Sequence, residues 1–252
     1  MSARGHAFGI DIGGSGVKGA EVDLATGTLT HDRIKIATPQ PSTPAAVAAA
    51  AAELVAQAGW EGPVGITMPC VVLDGHTRTA ANIDDAWIGA DARALFAEAL
   101  GGRTVTVLND ADAAGLAEDS YGTARDLHGL TLLLTFGTGI GSALLYDRVL
   151  VPNSELGHLK IDGVDAEDLA AASVKDNEDL SYPEWAQRVS RVLGHMEELF
   201  WPKVIVAGGG ISRDHEQWIP LLTNRTPVIP AVLKNTAGIV GAAMAIDAGI
   251  AP

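Results

Sequence analysis

The stretch FGIDIGGSGVKGAEVD, residues 8–23, reads as a strand, a tight glycine turn and a second strand. Its first strand alternates with period two, so the large apolar side chains share one face, and Asp11 and the glycines share the other. The same pattern returns at residues 132–147 as LLLTFGTGIGSALLYD. In each copy a polar residue, Asp11 or Thr135, comes just before the glycines. We expect each hairpin to bury one face and to present a polar group beside bare backbone on the other.

The composition indicates a globular chain. It has 252 residues, of which 47% are hydrophobic and 19% charged, enough for one large domain or two small ones around a cleft. No apolar run reaches the roughly 18 residues of a membrane span, and the N-terminus lacks the apolar region of a signal peptide, so we expect a cytoplasmic protein. The single cysteine, Cys70, excludes an internal disulfide. The net charge of −14 argues against general nucleic-acid binding.

Strand-like and helix-like segments alternate along the rest of the chain. Thr43 followed by Pro44 predicts the start of an alanine-rich helix that runs to about Gln57. Further helices are predicted over 111–122, 182–200 and 236–249, and further strands over 62–69, 104–110, 148–152 and 203–208. Because each half begins with a hairpin, we expect mixed sheets and a duplicated α/β architecture with two lobes and one cleft.

The glycine turns are suited to phosphate. Glycine permits positive φ and close approach of a phosphate to the backbone, and successive N–H groups form an anion site. A dinucleotide-binding fold would place a helix directly after the glycines, but GGSGVKGAEVD continues as a strand, and no P-loop motif is present. Each hairpin taken alone is as consistent with an ordinary turn. Two together favour a pair of loops that grip one phosphate group from both sides of a cleft.

The motifs DIGGSGVKG, LNDADAAGLAE, TFGTGIGSALL, ELGH and VAGGGIS, in this order, resemble those of the ROK family of sugar kinases. Within it they are most similar to the polyphosphate/ATP glucokinases and glucomannokinases of actinobacteria, and the resemblance covers nearly the whole chain. It implies a duplicated actin-like ATPase (ribonuclease H-like) fold, with two lobes and mixed sheets around a central cleft. The small lobe would comprise residues 1–112 plus 236–252, and the large lobe residues 113–235.

The resemblance implies a Mg²⁺-dependent phosphotransferase that moves a phosphoryl group from inorganic polyphosphate, ATP or both to the 6-hydroxyl of glucose. Asp110 would be the general base, and Asn82, Asn109, Glu155 and His158 would bind the sugar. Without the resemblance, Asn109 and Asp110 are typical of helix caps, Asn82 is typical of a turn, and Glu155 and His158 are typical of solvated loops.

The resemblance also assigns a phosphate and metal side. Asp11 would face Mg²⁺ through water, since Mg²⁺ keeps much of its hydration shell. Gly209 and Gly210 would lie beside the adenosine of a nucleotide, or form a plain turn if adenine is not used. No zinc is expected, because the segment after ELGH has no cysteine. The phosphate-binding residues would come from the two hairpins: Gly13, Gly14, Ser15, Lys18, Thr135, Gly137, Thr138 and Gly139.

Two features leave the substrates open. Cys70 stands where the family usually has a glycine near the sugar, so it either reshapes the pocket or is a small buried thiol. A kinase for another hexose such as mannose, or for a polyol, is therefore the main alternative. A long polyanion would depend on a few basic residues, which are Lys18, Arg125, Lys160, Lys175 and Arg213.

Two other classes of protein are less favoured. Regulators of this family carry an N-terminal helix-turn-helix, whereas the first strand here begins by Phe8. A non-catalytic sugar-binding protein would not need Asp110 in its full motif. Closure of the lobes around the sugar, which would exclude water, and a homodimeric assembly are expectations from the family.

Overall fold

The computed structural model of the chain describes residues 5–252. The chain divides into two compact units, one reaching to Ala117 and including Asn235–Pro252, the other spanning Glu118–Lys234. The first boundary lies inside the helix that follows the LND motif, somewhat later than the predicted lobe boundary at 112/113. Within the described range, no helix combines the length and the apolar character that crossing a membrane requires.

The first unit is built on a six-stranded mixed sheet. Its strands are β1 (His6–Gly13), β2 (Gly16–Asp23), β3 (Thr28–Leu29), β4 (Ile34–Ile36), β5 (Val64–Met68) and β8 (Val105–Asn109), and the short strands β6 (Val72–Leu73) and β7 (His76–Thr77) form a separate hairpin. The helices are α1 (Pro44–Ala58), α2 (Ala92–Ala99), α3 (Asp110–Tyr121), which continues past the unit boundary, and α8 (Ala237–Ala248).

The second unit is built on a five-stranded mixed sheet. Its strands are β9 (Leu130–Phe136), β10 (Ile140–Tyr146), β11 (Val149–Val151), β14 (Val204–Gly208) and β15 (Val228–Pro230), and β12 (Lys160–Ile161) pairs with β13 (Val164–Asp165). The helices are α4 (Ala166–Ala170), α5 (Ala172–Asn177), α6 (Tyr182–Phe200) and α7 (His215–Trp218).

The two large sheets have the same topology, which confirms the predicted duplication. Their orders are β3-β2-β1-β5-β8, with β4 also on β2, and β11-β10-β9-β14-β15. In both, the first three strands are antiparallel neighbours and the last three are parallel neighbours. Each glycine hairpin therefore lies next to a parallel strand, β5 or β14, whose carboxyl end reaches the same edge of the sheet as the hairpin turn.

The glycine face of β1 is covered, contrary to the expectation of bare backbone. A Cβ atom on Gly9 would lie 1.9 Å from the carbonyl oxygen of Ile239 in α8, and one on Gly65 of β5 would lie 1.8 Å from that of Ala242. Only glycine permits this approach of helix backbone to sheet backbone. The apolar face of β1 is buried in the core of the first unit, as expected.

Two predicted helices are confirmed together with the local signals that start them. The Thr43 hydroxyl accepts the Ala46 N–H at 3.4 Å, so α1 begins as predicted and runs to Ala58. The helix α6 covers the predicted residues 182–200 and begins with a capping box between Ser181 and Glu184. It buries Trp185 in the core of the second unit.

Candidate active site

The first glycine hairpin is held at its turn by polar contacts. The Thr38 hydroxyl donates to the Gly13 carbonyl at 2.5 Å, and a Cβ on Gly14 would lie 2.9 Å from the carbonyl oxygen of Asn82. Asn82 itself is exposed, with φ of 60°. None of the hairpin glycines has positive φ, so left-handed backbone does not account for glycine at these turns. At Gly14 the requirement is close approach to the Asn82 segment.

Asp11 is fixed from three sides within the first unit. Its Oδ2 lies 3.3 Å from Lys18 Nζ, and its Oδ1 accepts the Thr67 hydroxyl at 3.0 Å. A Cβ on Gly238, at the start of α8, would lie 2.9 Å from Oδ1. The side chains of Asp11 and Lys18 are each about one-fifth exposed, so both can be reached from solvent.

The chemistry of this carboxylate fits Mg²⁺. Among residues 5–252 no cluster of three or more histidine, cysteine or acidic side chains is arranged to hold a metal ion. Mg²⁺ does not need such a cluster, because it is commonly bound by one or two carboxylates together with substrate phosphates and water. Asp11 would hold the ion on the protein side, beside the ammonium group of Lys18.

The carboxyl end of β8 carries the LND motif. Asn109 is buried, its Oδ1 accepts the N–H groups of Ala111 and Asp112 at 2.8 and 3.1 Å, and its Nδ2 donates to the Cys70 carbonyl at 3.2 Å. Asn109 therefore caps α3, as the motif alone also indicates. Asp110 is the first residue of the helix and is half-buried. The capped helix thus holds Asp110 at the edge of the sheet.

Cys70 contributes to this arrangement through its backbone. Its side chain is 3% exposed and belongs to the core of the first unit. Its carbonyl oxygen is the group that orients the Asn109 amide. The burial of the thiol favours the interpretation of Cys70 as a small core residue.

The second glycine hairpin is braced by α5. Ser173 donates its N–H to the Gly137 carbonyl at 3.0 Å and its hydroxyl to the Thr138 carbonyl at 2.6 Å. On the neighbouring strand Gly208 pairs with Thr135. Gly209 has φ of 83°, and a Cβ there would lie 2.1 Å from the Phe136 carbonyl, so this turn requires glycine. The second hairpin and the Gly208–Gly210 turn are therefore neighbours in the second unit.

The ELGH segment is attached to β10. Ser142 Oγ accepts the Leu156 N–H at 2.9 Å, and this serine thereby fixes the turn between the two predicted sugar-binding residues. Burial raises the pKa of Glu155, the neighbouring Glu167 carboxylate raises it further, and His158 opposes the shift. His158 is exposed, with 60% of its side chain accessible.

Glu167 links this segment to the second hairpin and was not predicted. Its Oε2 accepts the Ile140 N–H at 3.1 Å, directly after the hairpin turn, and its Oε1 lies 3.6 Å from His158 Nδ1. A Cβ on Gly139 would lie 2.3 Å from Oε2, so Gly139 leaves space for this carboxylate. No local sequence pattern distinguishes Glu167 from Asp168, the other acidic residue of α4, because the partners of Glu167 are distant in the chain.

The predicted residues thus form two groups, one in each unit. The first unit brings Asp11 and Lys18 to one strand pair, places Asn82 against the first hairpin, and sets Asn109 and Asp110 at the end of β8. The second unit gathers Thr135, the hairpin of residues 137–139 and the turn of residues 208–210. Glu167 connects His158 to this hairpin, and the His158 N–H donates to the Glu155 carbonyl.

Comparison with known proteins gives consistent matches. The profile described as "ROK family" matches residues 7–171. A polyphosphate glucokinase from Mycobacterium tuberculosis is 59% identical over 240 residues, covering 95% of this chain and 91% of that protein. The crystal structure of an inorganic polyphosphate/ATP-glucomannokinase from Arthrobacter sp. strain KM has a TM-score of 0.92 at 47% identity, covering 97% and 99% of the two chains. A ROK family glucokinase from Streptomyces griseus, in complex with glucose and AMPPNP, shares the fold at 24% identity, with a TM-score of 0.80 and coverage of 97% and 100%.

Proposed function

This chain belongs to the ROK family of sugar kinases and has their actin-like ATPase fold, and we propose that it transfers a phosphoryl group from inorganic polyphosphate or ATP to the 6-hydroxyl of glucose. The observation that carries the proposal is the buried, capped LND motif at the end of β8, in a chain 59% identical to a polyphosphate glucokinase. The 47% identity to a polyphosphate/ATP-glucomannokinase supports the same pair of donors.

In this proposal Asp110 is the general base. A sugar hydroxyl becomes a better nucleophile when a carboxylate accepts its proton in the transition state. Asp110 is half-buried, and Asn109 fixes the start of its helix through two backbone hydrogen bonds. Such a carboxylate is held in a defined position, as general-base catalysis requires. Asn82, Asn109, Glu155 and His158 are proposed to bind the sugar hydroxyls.

The phosphate side is proposed to use both hairpins, Lys18 and Asp11. When bound, Mg²⁺ would neutralise charge on the phosphate oxygens, and Asp11 is the carboxylate proposed to hold it. Lys18 lies beside Asp11 and supplies a positive charge at the first hairpin. Thr135 and residues 137–139 would supply the corresponding contacts of the second unit. A cytoplasmic location and a homodimeric assembly complete the proposal, on the strength of family membership alone.

The test is a coupled assay of sugar 6-phosphate formation with Mg²⁺, in which ATP and polyphosphate are crossed with glucose, mannose and several polyols. The proposal predicts turnover of glucose with both donors. Mannose is the second candidate acceptor, because the structure with a TM-score of 0.92 is a glucomannokinase. Turnover with ATP alone would remove polyphosphate from the proposal. The absence of turnover in every combination would contradict the proposed function as a whole.

A further inference from the structure

A cavity of about 430 Å³ opens beside the second glycine hairpin, entirely within the second unit. Gly137 and Thr138 of the hairpin form one side of it, and Gly210 of the turn after β14 forms another. Two basic side chains, Lys175 and Arg213, also line it. Its volume is within the usual range for a small-molecule site.

Lys175 is retained inside the cavity. Its Nζ lies 4.7 Å from the centroid of the Tyr182 ring, and its side chain is only 17% exposed. The nearest carboxylate, that of Asp176, lies 3.6 Å away and is mostly exposed to solvent. The ammonium group is therefore held over an aromatic face by a modest cation–π attraction, and a multiply charged anion would compete effectively for it.

Arg213 is held on the side formed by the glycine turn. Its Nε donates to the Gly210 carbonyl at 3.1 Å, which fixes the direction of the guanidinium group and leaves its two terminal nitrogens for other acceptors. Arginine forms paired hydrogen bonds to phosphate in this geometry. The two cations come from different elements, α5 and the turn after β14, so they are suited to contact different phosphate groups of one chain.

Two carboxylates, Asp176 and Asp214, also line the cavity. That of Asp176 is mostly exposed, so solvent screens its charge. The carbonyls of Gly137 and Thr138 are already paired with Ser173. The Asp214 carboxylate accepts the Tyr182 hydroxyl at 3.0 Å. A flat base that stacked on the same face of Tyr182 would first have to displace the ammonium of Lys175. The observed arrangement therefore favours phosphate groups over a nucleobase.

We propose that this cavity binds the non-transferred phosphates of a polyphosphate donor, with Lys175 and Arg213 as the residues that determine donor preference. The inference rests on the proposed function, because it assigns the far end of the same donor. Three other basic residues considered for this role, Lys18, Arg125 and Lys160, do not line the cavity.

The experiment compares the wild-type chain with Lys175→Met and Arg213→Gln. Each variant is expected to raise the KM for polyphosphate about 10- to 100-fold, the effect of losing one charged hydrogen bond, and the KM for ATP by a smaller factor, because ATP has only two non-transferred phosphates. Lys203→Met is the matched control, because Lys203 is exposed and does not line the cavity. Binding of tripolyphosphate, measured by calorimetry without sugar, should weaken in the two variants and not in the control. Thermal unfolding establishes that each variant is folded.

The outcomes separate the two proposals. If the wild-type chain uses polyphosphate and the two variants retain its KM, the cavity assignment is overturned and the proposed function stands. A larger loss for ATP than for polyphosphate would also overturn it, in favour of a nucleotide in the cavity. If the wild-type chain turns over neither donor, the proposed function fails, and tripolyphosphate binding alone decides the cavity assignment.

Discussion

Glu167→Gln tests the connection between the ELGH segment and the second hairpin. The Glu167 carboxylate accepts the Ile140 N–H at 3.1 Å and faces His158 Nδ1 at 3.6 Å. Glutamine keeps an acceptor for the backbone N–H but removes the charge. A hydrogen bond to a charged group contributes about 1.5–3 kcal/mol and a neutral one about 0.5–1.5 kcal/mol. The substitution should therefore weaken the interaction that holds the ELGH segment in its binding position by about 1 kcal/mol. If His158 binds the sugar, the KM for glucose should rise about fivefold.

The same change should move the pH dependence. The negative charge of Glu167 contributes to the raised pKa of Glu155, so its removal lowers the pKa of Glu155 and shifts the acid limb of kcat/KM to lower pH. The assay is steady-state kinetics with glucose between pH 5 and pH 8. Asp168→Asn is the control, because the neighbouring Asp168 is exposed and carries the same charge. An unchanged KM and an unchanged pH profile in Glu167→Gln would refute the reasoning.

Three further predictions concern packing and the sugar side. Gly65→Ala should destabilise the chain by about 3 kcal/mol, because its Cβ would lie 1.8 Å from helix backbone. Gly194→Ala, with open space around it, should raise the thermal unfolding temperature slightly. Equal effects of the two substitutions would contradict the packing of α8 against β5. Burial raises the pKa of Glu155, so the decrease of kcat/KM for glucose at acid pH should begin above the usual titration range of a glutamate. Glu155→Gln should abolish this decrease. If the decrease persists in Glu155→Gln, it does not report Glu155. Cys70→Gly should lower stability by about 1 kcal/mol and leave the ratio of glucose to mannose turnover unchanged, because the thiol is in the core; a change of ratio above threefold would assign Cys70 to the sugar pocket instead.

Local signals in the sequence predicted much of the fold. The alternation on both sides of each glycine turn predicted the hairpins of residues 6–23 and 130–146. Thr43 and Pro44 predicted the start of α1, because a capping hydroxyl and a proline at the first helical position act within one turn. The duplication could be inferred because both halves repeat the same order of hairpin, helix and parallel strand.

Long-range contacts could not be predicted in the same way. The covering of Gly9 and Gly65 by α8 depends on residues near the opposite end of the chain. Glu167 is one of several acidic residues in its segment, and only the folded chain shows that it accepts the Ile140 N–H. The cavity at Lys175 likewise combines three separate segments of the second unit. For the proposed base, the sequence alone left Asp110 ambiguous between a helix cap and a base, and the structure shows both Asn109 and Asp110 accepting backbone N–H groups at the start of α3.

The most direct test of the central claim is the turnover of Asp110→Asn with glucose and either donor. Asparagine keeps an acceptor for the Ala111 N–H, which the Asp110 carboxylate accepts at 2.8 Å, so the helix should remain intact. Asp179→Asn is the matched control, because Asp179 is exposed and its φ of 56° is tolerated by asparagine. With Asp110 as the general base, kcat should fall about 10²- to 10⁴-fold at an unchanged unfolding temperature. A folded Asp110→Asn variant with kcat within threefold of wild type would contradict the account.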